Sequence, residues 1–241
     1  MPKHFFFDLD NTLTRSRNKI TAEHAAILER LATKADVIVV TGGQKKQIQK
    51  QLGEALDGKY FILAQNGNHA ETPQGELLWE NTLTPEQKGA VLSLVEDMKR
   101  DLRLKVRDVD DLVEDRGSSI CYSLIGHNED IEKKEAFDPD HSKRRALLDR
   151  FKGSVNELRE NHSVEIRSGG TTTLDCFEGG KNKGFNVKEL IGREGWNTDD
   201  CIYVGDALFP GGNDETVIGI IPTRSVNDYN ATYEYLSEVL K

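Results

Sequence analysis

Val37-Ile38-Val39-Val40 constrains this chain most: four β-branched residues in an unbroken run, closed by Thr41-Gly42-Gly43. A strand with one wet face alternates apolar and polar residues. A continuous run needs cover on both faces, as parallel sheets provide. Phe5-Phe6-Phe7, Tyr60-Phe61-Ile62-Leu63 and Cys201-Ile202-Tyr203-Val204 follow the same pattern. Between these runs, Thr21 is a candidate N-cap for a helix that carries Ala25, Ile27, Leu28 and Leu31 at helical spacing. A polar helix runs from after Gly43 to about Leu52. The β-α-β-α-β order predicts an α/β, Rossmann-like parallel sheet with right-handed crossovers. The chain returns to this pattern with a helix over Phe185–Ile191, the strand ending at Val204, a fifth strand over Val217–Ile221 and a closing helix over Tyr229–Leu240.

The middle of the chain reads differently. Thr84-Pro85-Glu86 starts a helix with Val91, Leu94, Val95 and Met98 on one face. Short strands are expected near Leu112–Val113 and over Ile120–Leu124. A charged helix is expected over Ser142–Phe151 and an amphipathic turn near Val155–Leu158. Ser163–Arg167 and Thr171–Phe177 read as strands joined by a turn at Ser168-Gly169-Gly170. Asn128–Lys134 reads as a solvated, charged loop. The expected organisation is a core of residues 1–82 and 181–241, interrupted by an inserted α+β domain of residues 83–180. Hinges are expected near residues 82–84 and 179–182, where Gly179-Gly180 can absorb backbone change.

Bulk properties narrow the function. A net charge of −9 argues against a general nucleic-acid partner and against an anionic membrane surface. No apolar run is long enough to span a bilayer, and the start leads straight into a strand without a visible signal peptide. Cys121, Cys176 and Cys201 lack metal-ligand spacing, so a reducing cytoplasm and buried thiols are expected.

The chemistry gathers where strands end. Asp8-Leu9-Asp10 follows Phe5–Phe7, Thr41 follows Val37–Val40, and Gly205-Asp206 follows Cys201–Val204. Ligands of open parallel sheets bind beyond these carboxyl ends. Two carboxylates two residues apart at a strand end concentrate charge, which a metal or substrate must justify. One can attack phosphorus and split a hard displacement into two easier steps; the other can move the proton. Asp8 and Asp206, with the backbone carbonyl of Asp10, are candidate Mg²⁺ ligands. Thr41, the amides after it at Gly42 and Gly43, and Lys183 are candidate holders of the phosphoryl oxygens. Thr12 is a candidate partner of Asp10. Asn213 and Asp214 are candidate supports for the metal and Lys183. Each has a plainer role: Asp8 with Asp10 as a turn pair, Thr41 as a strand-end hydroxyl, Lys183 as a surface lysine with Lys181 as rival, Asn213 and Asp214 as helix caps. Their order along the chain favours the site.

That order resembles the haloacid-dehalogenase-like (HAD) phosphotransferases, and within them the eukaryotic-type phosphomannomutases with a type-C2 cap. The resemblance rests on Asp8-Leu9-Asp10-Asn11-Thr12-Leu13-Thr14, Thr41-Gly42-Gly43, Gln65-Asn66-Gly67, Gly169-Gly170 with Asp175-Cys176-Phe177, Lys183, and Gly205-Asp206-Ala207-Leu208-Phe209-Pro210-Gly211-Gly212-Asn213-Asp214. It implies a HAD core with the inserted domain as cap, Asp8 as nucleophile, Asp10 as acid/base, Thr41 and Lys183 as phosphate ligands and Asp206 as metal ligand. It implies that Arg17, Arg116, Thr173 and Asp175 meet the sugar phosphate, with His127 where a second cap arginine is expected. Asn11 replaces the usual glycine. The implied activity is Mg²⁺-dependent interconversion of mannose 1- and 6-phosphate. The histidine substitution leaves a sugar-phosphate phosphatase as the alternative, and a non-catalytic phospho-accepting protein as a remote one. The resemblance also implies a homodimer through the cap, for which the Val91–Met98 face is a candidate unless it packs internally.

Overall fold

The computed structural model describes residues Met1 to Lys241 and divides into two compact units, Met1–Glu80 with Lys181–Lys241, and Asn81–Gly180. The first unit opens with β1 (His4–Phe7), α1 (Ala22–Ala32), β2 (Asp36–Val40), α2 (Lys45–Leu52), β3 (Phe61–Ala64), β4 (His69–Glu71) and β5 (Leu77–Glu80). The second holds α3 (Pro85–Leu102), β6 (Val113–Asp115), β7 (Ser119–Ser123), α4 (Ile131–Phe137), α5 (Ser142–Arg150), α6 (Lys152–His162), β8 (Val164–Gly169) and β9 (Thr173–Glu178). The first unit is completed by α7 (Lys183–Glu194), β10 (Cys201–Gly205), β11 (Thr223–Ser225) and α8 (Tyr229–Val239).

The first unit is built on a seven-stranded sheet in the order β11-β10-β1-β2-β3-β4-β5. It is parallel from β11 to β3. Successive side chains of a strand point to opposite faces, and both faces here are apolar. Phe5, Phe7, Val37 and Val39 pack with Leu28, Leu31 and Leu236 of α1 and α8. Phe6, Ile38, Val40 and Tyr203 pack with Val187 and Leu190 of α7. The α/β expectation for this unit therefore holds, and the unbroken Val37–Val40 run is explained by cover on both sides. Thr21 caps α1, its side chain accepting from the His24 amide at 3.2 Å.

Two features depart from the sequence reading. Gln65, Asn66 and Gly67 all have positive φ. They reverse the chain into β4 and β5, which extend the sheet antiparallel. The expected strand at Val217–Ile221 does not form. Gly219 at φ +86° breaks the run, Glu215–Val217 is a 3₁₀ turn, and the edge strand is the exposed β11.

The second unit is a four-stranded antiparallel sheet, β6-β7-β9-β8, with helices on one face. Ile120, Tyr122, Val164, Leu174 and Cys176 pack with Val91, Leu94, Val95 and Met98 of α3 and Leu158 of α6. The Val91–Met98 face thus packs internally. A capping box opens α3: Thr84 Oγ1 accepts from the Gln87 amide at 3.2 Å, and the Thr84 amide donates to Gln87 Oε1 at 2.9 Å. The charged stretch expected to be a loop enters α4. Asp130 caps that helix, and Lys134 turns inward to donate to the His127 carbonyl at 2.9 Å. Val155–Leu158 belongs to the longer α6, and β8 runs on to Gly169, so the reversal comes two residues later than expected. Buried Arg144 fixes that reversal, donating from Nη1 to the carbonyls of Gly169, Gly170 and Thr173 while Nε pairs with Asp138 at 2.7 Å. No helix is long and apolar enough to cross a membrane.

Candidate active site

Parallel pairing aligns the ends of the central strands. Phe7 lies beside both Val204 and Val39, so Asp8, Asp206 and Thr41 leave the sheet at one edge. The first turn of α7 adds Lys183, which is 1% exposed. Its Nζ donates to Asp8 Oδ1 at 2.5 Å and to Asp214 Oδ1 at 2.7 Å. Asp214 is held further by the Tyr203 hydroxyl at 2.6 Å and the Ala207 amide at 3.2 Å. Asp206 lies beside them. Thr12 Oγ1 accepts from its amide at 3.1 Å and donates to its Oδ1 at 3.3 Å. Thr12 was expected to fix Asp10, but it serves Asp206, because Asn11 at φ +62° turns the chain between them. Lys181, the rival of Lys183, lies over the Phe185 ring at 4.3 Å.

The electrostatics of this cluster are unbalanced. Burial raises the Asp8 pKa well above the usual carboxylate range, and Asp214 and Asp206 add to this against the pull of Lys183. Asp206 is raised to about 6, by burial first and by Asp214 next. Lys183 shifts upward: burial would lower it, but Asp214 and Asp8 outweigh burial. Oxygens of Asp8, Asp206 and Asp214 lie within 4.8 Å of one another, with one ammonium among three carboxylates. Hard oxygen donors with excess negative charge suit a divalent cation. Asp214 already accepts from three donors, so Asp8 and Asp206 are the better candidate ligands. The Asp10 side chain is not in this group.

Thr41 is buried one residue past β2, and its Oγ1 accepts from the Gly43 amide at 3.1 Å. Gly42 lies in the same turn. Asp10 Oδ1 accepts from the Arg17 amide at 2.8 Å and from Gln51 Nε2 at 3.2 Å, and its Oδ2 accepts from Gln47 Nε2 at 3.2 Å. Arg17 thus meets Asp10 through its backbone, in a left-handed conformation at φ +58°. Asn213 is half-buried in the loop after β10.

In the second unit the remaining residues form a polar face, opposite the helices. Register places Glu114 beside Cys121, Cys121 beside Asp175 and Asp175 beside Arg167 across the sheet. The buried Arg116 guanidinium grips Glu114 Oε2 from Nε at 2.9 Å and from Nη2 at 2.6 Å. Burial would lower its pKa, but Cys121, Asp175 and Glu114 hold it above the ordinary arginine value. His127 is buried, with Nε2 3.2 Å from the Cys121 carbonyl and Nδ1 3.8 Å from Glu114 Oε2. Thr173 Oγ1 donates to the Gly169 carbonyl at 2.5 Å. Asp175 Oδ1 is buried with no hydrogen-bond partner.

Residues 5–216 match the haloacid dehalogenase-like hydrolase family. The chain belongs to that family. It is 29% identical to Phosphomannomutase 1 of Dictyostelium discoideum over 97% of this chain and 94% of that protein. It is 30% identical to Phosphomannomutase 2 of the same organism over 86% of this chain and 83% of that one. Human Phosphomannomutase 1 is 27% identical over 86% and 80%. Among solved structures, an N-terminally truncated IMP-nucleotidase of Plasmodium falciparum superposes at a TM-score of 0.72 with 15% identity, covering 99% of this chain and 70% of that one. A haloacid dehalogenase-like hydrolase of Bacteroides thetaiotaomicron gives 0.63 at 15% identity, covering 99% and 100%. Those two likenesses speak to the fold. Family and relatives together make this chain an enzyme of the phosphotransferase or phosphatase kind.

Some residues of this haloacid dehalogenase-like site escaped the sequence reading. Tyr203 read as core, and its buried position is indeed a core position; only tertiary contact reveals the hydroxyl on Asp214. Gln47 and Gln51 carried a faint signal, two amides one helical turn apart on one face of α2. Glu114 carried none, since a lone carboxylate two residues before an arginine is common on strands.

Proposed function

We propose that this enzyme transfers the phosphoryl group of a hexose phosphate through an aspartyl-phosphate on Asp8, with Mg²⁺, interconverting mannose 1- and 6-phosphate. The observation that carries the reading is the buried Lys183 bridging Asp8 and Asp214, with Asp206 beside them. Lys183 holds Asp8 Oδ1 and leaves Oδ2 for attack. The new bond joins Oδ2 to phosphorus, the bond from phosphorus to the sugar oxygen breaks, and Asp10 gives its proton to the leaving oxygen. In the return step Asp10 takes a proton from the incoming hydroxyl, whose oxygen attacks the phosphorus and frees Asp8. Asp8, Asp206 and the Asp10 carbonyl would hold Mg²⁺, which supplies neutralisation of the charge between carboxylate and phosphate. Thr41, the Gly42 amide and Lys183 would hold phosphoryl oxygens, with Asn213 and Asp214 supporting the metal and Lys183. The inserted unit serves as the cap, where Arg116, His127, Thr173 and Asp175 meet the sugar phosphate; Arg17 is assigned to the same substrate from the core. A cytoplasmic setting fits the three buried free cysteines. A homodimer through the cap would use a surface other than the buried face of α3.

One observation favours hydrolysis as a second reading. Two carboxylates, Glu114 and Asp175, flank the guanidinium of Arg116, which weakens that group as a clamp for a second phosphate dianion. A mutase must hold such a bisphosphate in two orientations; a phosphatase need not. Incubation with mannose 1-phosphate and a catalytic amount of hexose 1,6-bisphosphate separates them. Mannose 6-phosphate without stoichiometric free phosphate is the expected result. Steady phosphate release without isomerisation makes the enzyme a hydrolase, and a lasting phosphoenzyme without turnover makes it a phospho-acceptor.

A further inference from the structure

Gln51 occupies a position where the fold would be served by leucine. It is 1% exposed, between Ile48 and Leu52 on the inward face of α2. A buried amide is costly unless every polar atom finds a partner. Gln51 finds them: Nε2 donates to Asp10 Oδ1 at 3.2 Å and to Thr14 Oγ1 at 2.7 Å, and Oε1 accepts from Gln47 Nε2 at 2.9 Å. Gln47, one turn earlier, uses the same Nε2 to reach Asp10 Oδ2 at 3.2 Å. The bond between the glutamines orients Gln51. With its oxygen occupied by Gln47, its nitrogen must face Asp10, and a carboxylate accepts only from such a nitrogen.

Gly43 makes the arrangement possible. A Cβ there would sit 2.6 Å from Gln47 Oε1 and 2.8 Å from its Cδ. The Gln47 amide fills the space that this glycine leaves, so the second glycine of Thr41-Gly42-Gly43 serves Asp10 as well as the turn.

We propose that Gln47 and Gln51 are positioning residues for Asp10, and that they assign the transferable proton to Asp10 Oδ2. Oδ1 accepts from both the Arg17 amide and Gln51, which fills its two lone-pair directions. Oδ2 accepts from Gln47 alone, and its second direction is free to carry a proton. The carboxyl is fixed from three sides with one place left for chemistry. The inference rests on the reading of Asp10 as acid/base, and the test separates the two.

The discriminating variable is the leaving group. A sugar oxygen must be protonated as it departs from phosphorus, whereas 4-nitrophenolate leaves as a stable anion. Single-turnover phosphorylation of the full-length, Mg²⁺-loaded protein is followed with mannose 1-phosphate and with 4-nitrophenyl phosphate, so that only the first step is read. For Gln51→Leu and Gln47→Leu, phosphorylation by mannose 1-phosphate should slow about 10- to 100-fold, the loss expected for a misplaced catalytic group. KM should stay within about threefold, and the 4-nitrophenolate burst within about threefold. Gln47→Leu, at a half-buried position, keeps the inference testable if the Gln51 variant does not fold. Asp10→Asn should show the split more strongly, at about 10²- to 10⁴-fold on the sugar. If Asp10→Asn gives the split but the glutamine variants slow both substrates equally or neither, the positioning role is wrong and the acid/base reading stands. If Asp10→Asn itself slows both equally, the acid/base reading falls and takes the inference with it.

Discussion

Tyr203 is the residue at which core and chemistry meet. Its ring lies in the apolar cluster beneath the sheet, and its hydroxyl donates to the carboxylate that pairs with Lys183. Burial, and after it Asp214, raise the pKa of that hydroxyl well above the ordinary tyrosine value, so it remains a donor. Hydrogen bonds to charged groups contribute about 1.5–3 kcal/mol. Tyr203→Phe should therefore lower urea-unfolding stability by about 2 kcal/mol; a loss under about 0.5 kcal/mol would mean that Asp214 is satisfied without it. The same residue marks a limit of legibility. The convergence of Asp8, Thr41 and Asp206 could be read because strand ends in a parallel sheet align by geometry. Tyr203, Gln47 and Gln51 could not, because their meaning lies in which atom of a folded neighbour they touch. Thr12 shows the same from the other side: sequence proximity pointed to Asp10, and one left-handed residue sends it to Asp206.

Elements were legible where one physical cause dominated. Val37–Val40 announces a doubly covered strand, and Thr84-Pro85 announces a helix start. β4 was not visible, since His69-Ala70-Glu71 has no apolar pattern of its own and forms by pairing with β3. Ion pairs add to that pairing. Glu71, 6% exposed, accepts from Lys45 Nζ at 2.6 Å and from His69 Nε2 at 2.7 Å, while His69 Nδ1 faces Glu80 at 3.1 Å. Burial would raise the Glu71 pKa, but the hydrogen bonds from Lys45 and His69 outweigh it and bring it below the ordinary 4.5. A depressed folded value means that the ionised form stabilises the fold. That stability is fully present above 4.5 and is lost as pH falls through the lower folded value. The Tm of Glu71→Gln should therefore lie below wild type at neutral pH, with the gap closing as pH falls below 4.5. A gap independent of pH would place the stabilisation elsewhere.

At the scale of the molecule, two units divide two kinds of chemistry. The sheet edge of the first unit gathers three carboxylates around one lysine, the concentration of charge that a phosphoryl-transfer nucleophile and its cation need. The polar face of the second unit sets Arg116 among Glu114, Cys121 and Asp175, with His127 beside Glu114. The overall charge of −9 makes these local groups decisive, since an acidic protein attracts a phosphate only through fixed positive charge or a bound cation. Class and sheet were open to sequence reading because burial pattern controls both. How Glu114, Cys121 and Asp175 come to surround the Arg116 guanidinium was not, because those contacts depend on strand register. The central claim is that Asp8 accepts the phosphoryl group. Rapid quenching of the Mg²⁺-loaded enzyme during turnover of mannose 1-phosphate, followed by borohydride reduction and peptide mass spectrometry, tests it directly. The account predicts reduction of an acyl phosphate at position 8, giving homoserine there, and none in Asp8→Asn. An active enzyme with no modification at Asp8, or with phosphate at another residue, would contradict it.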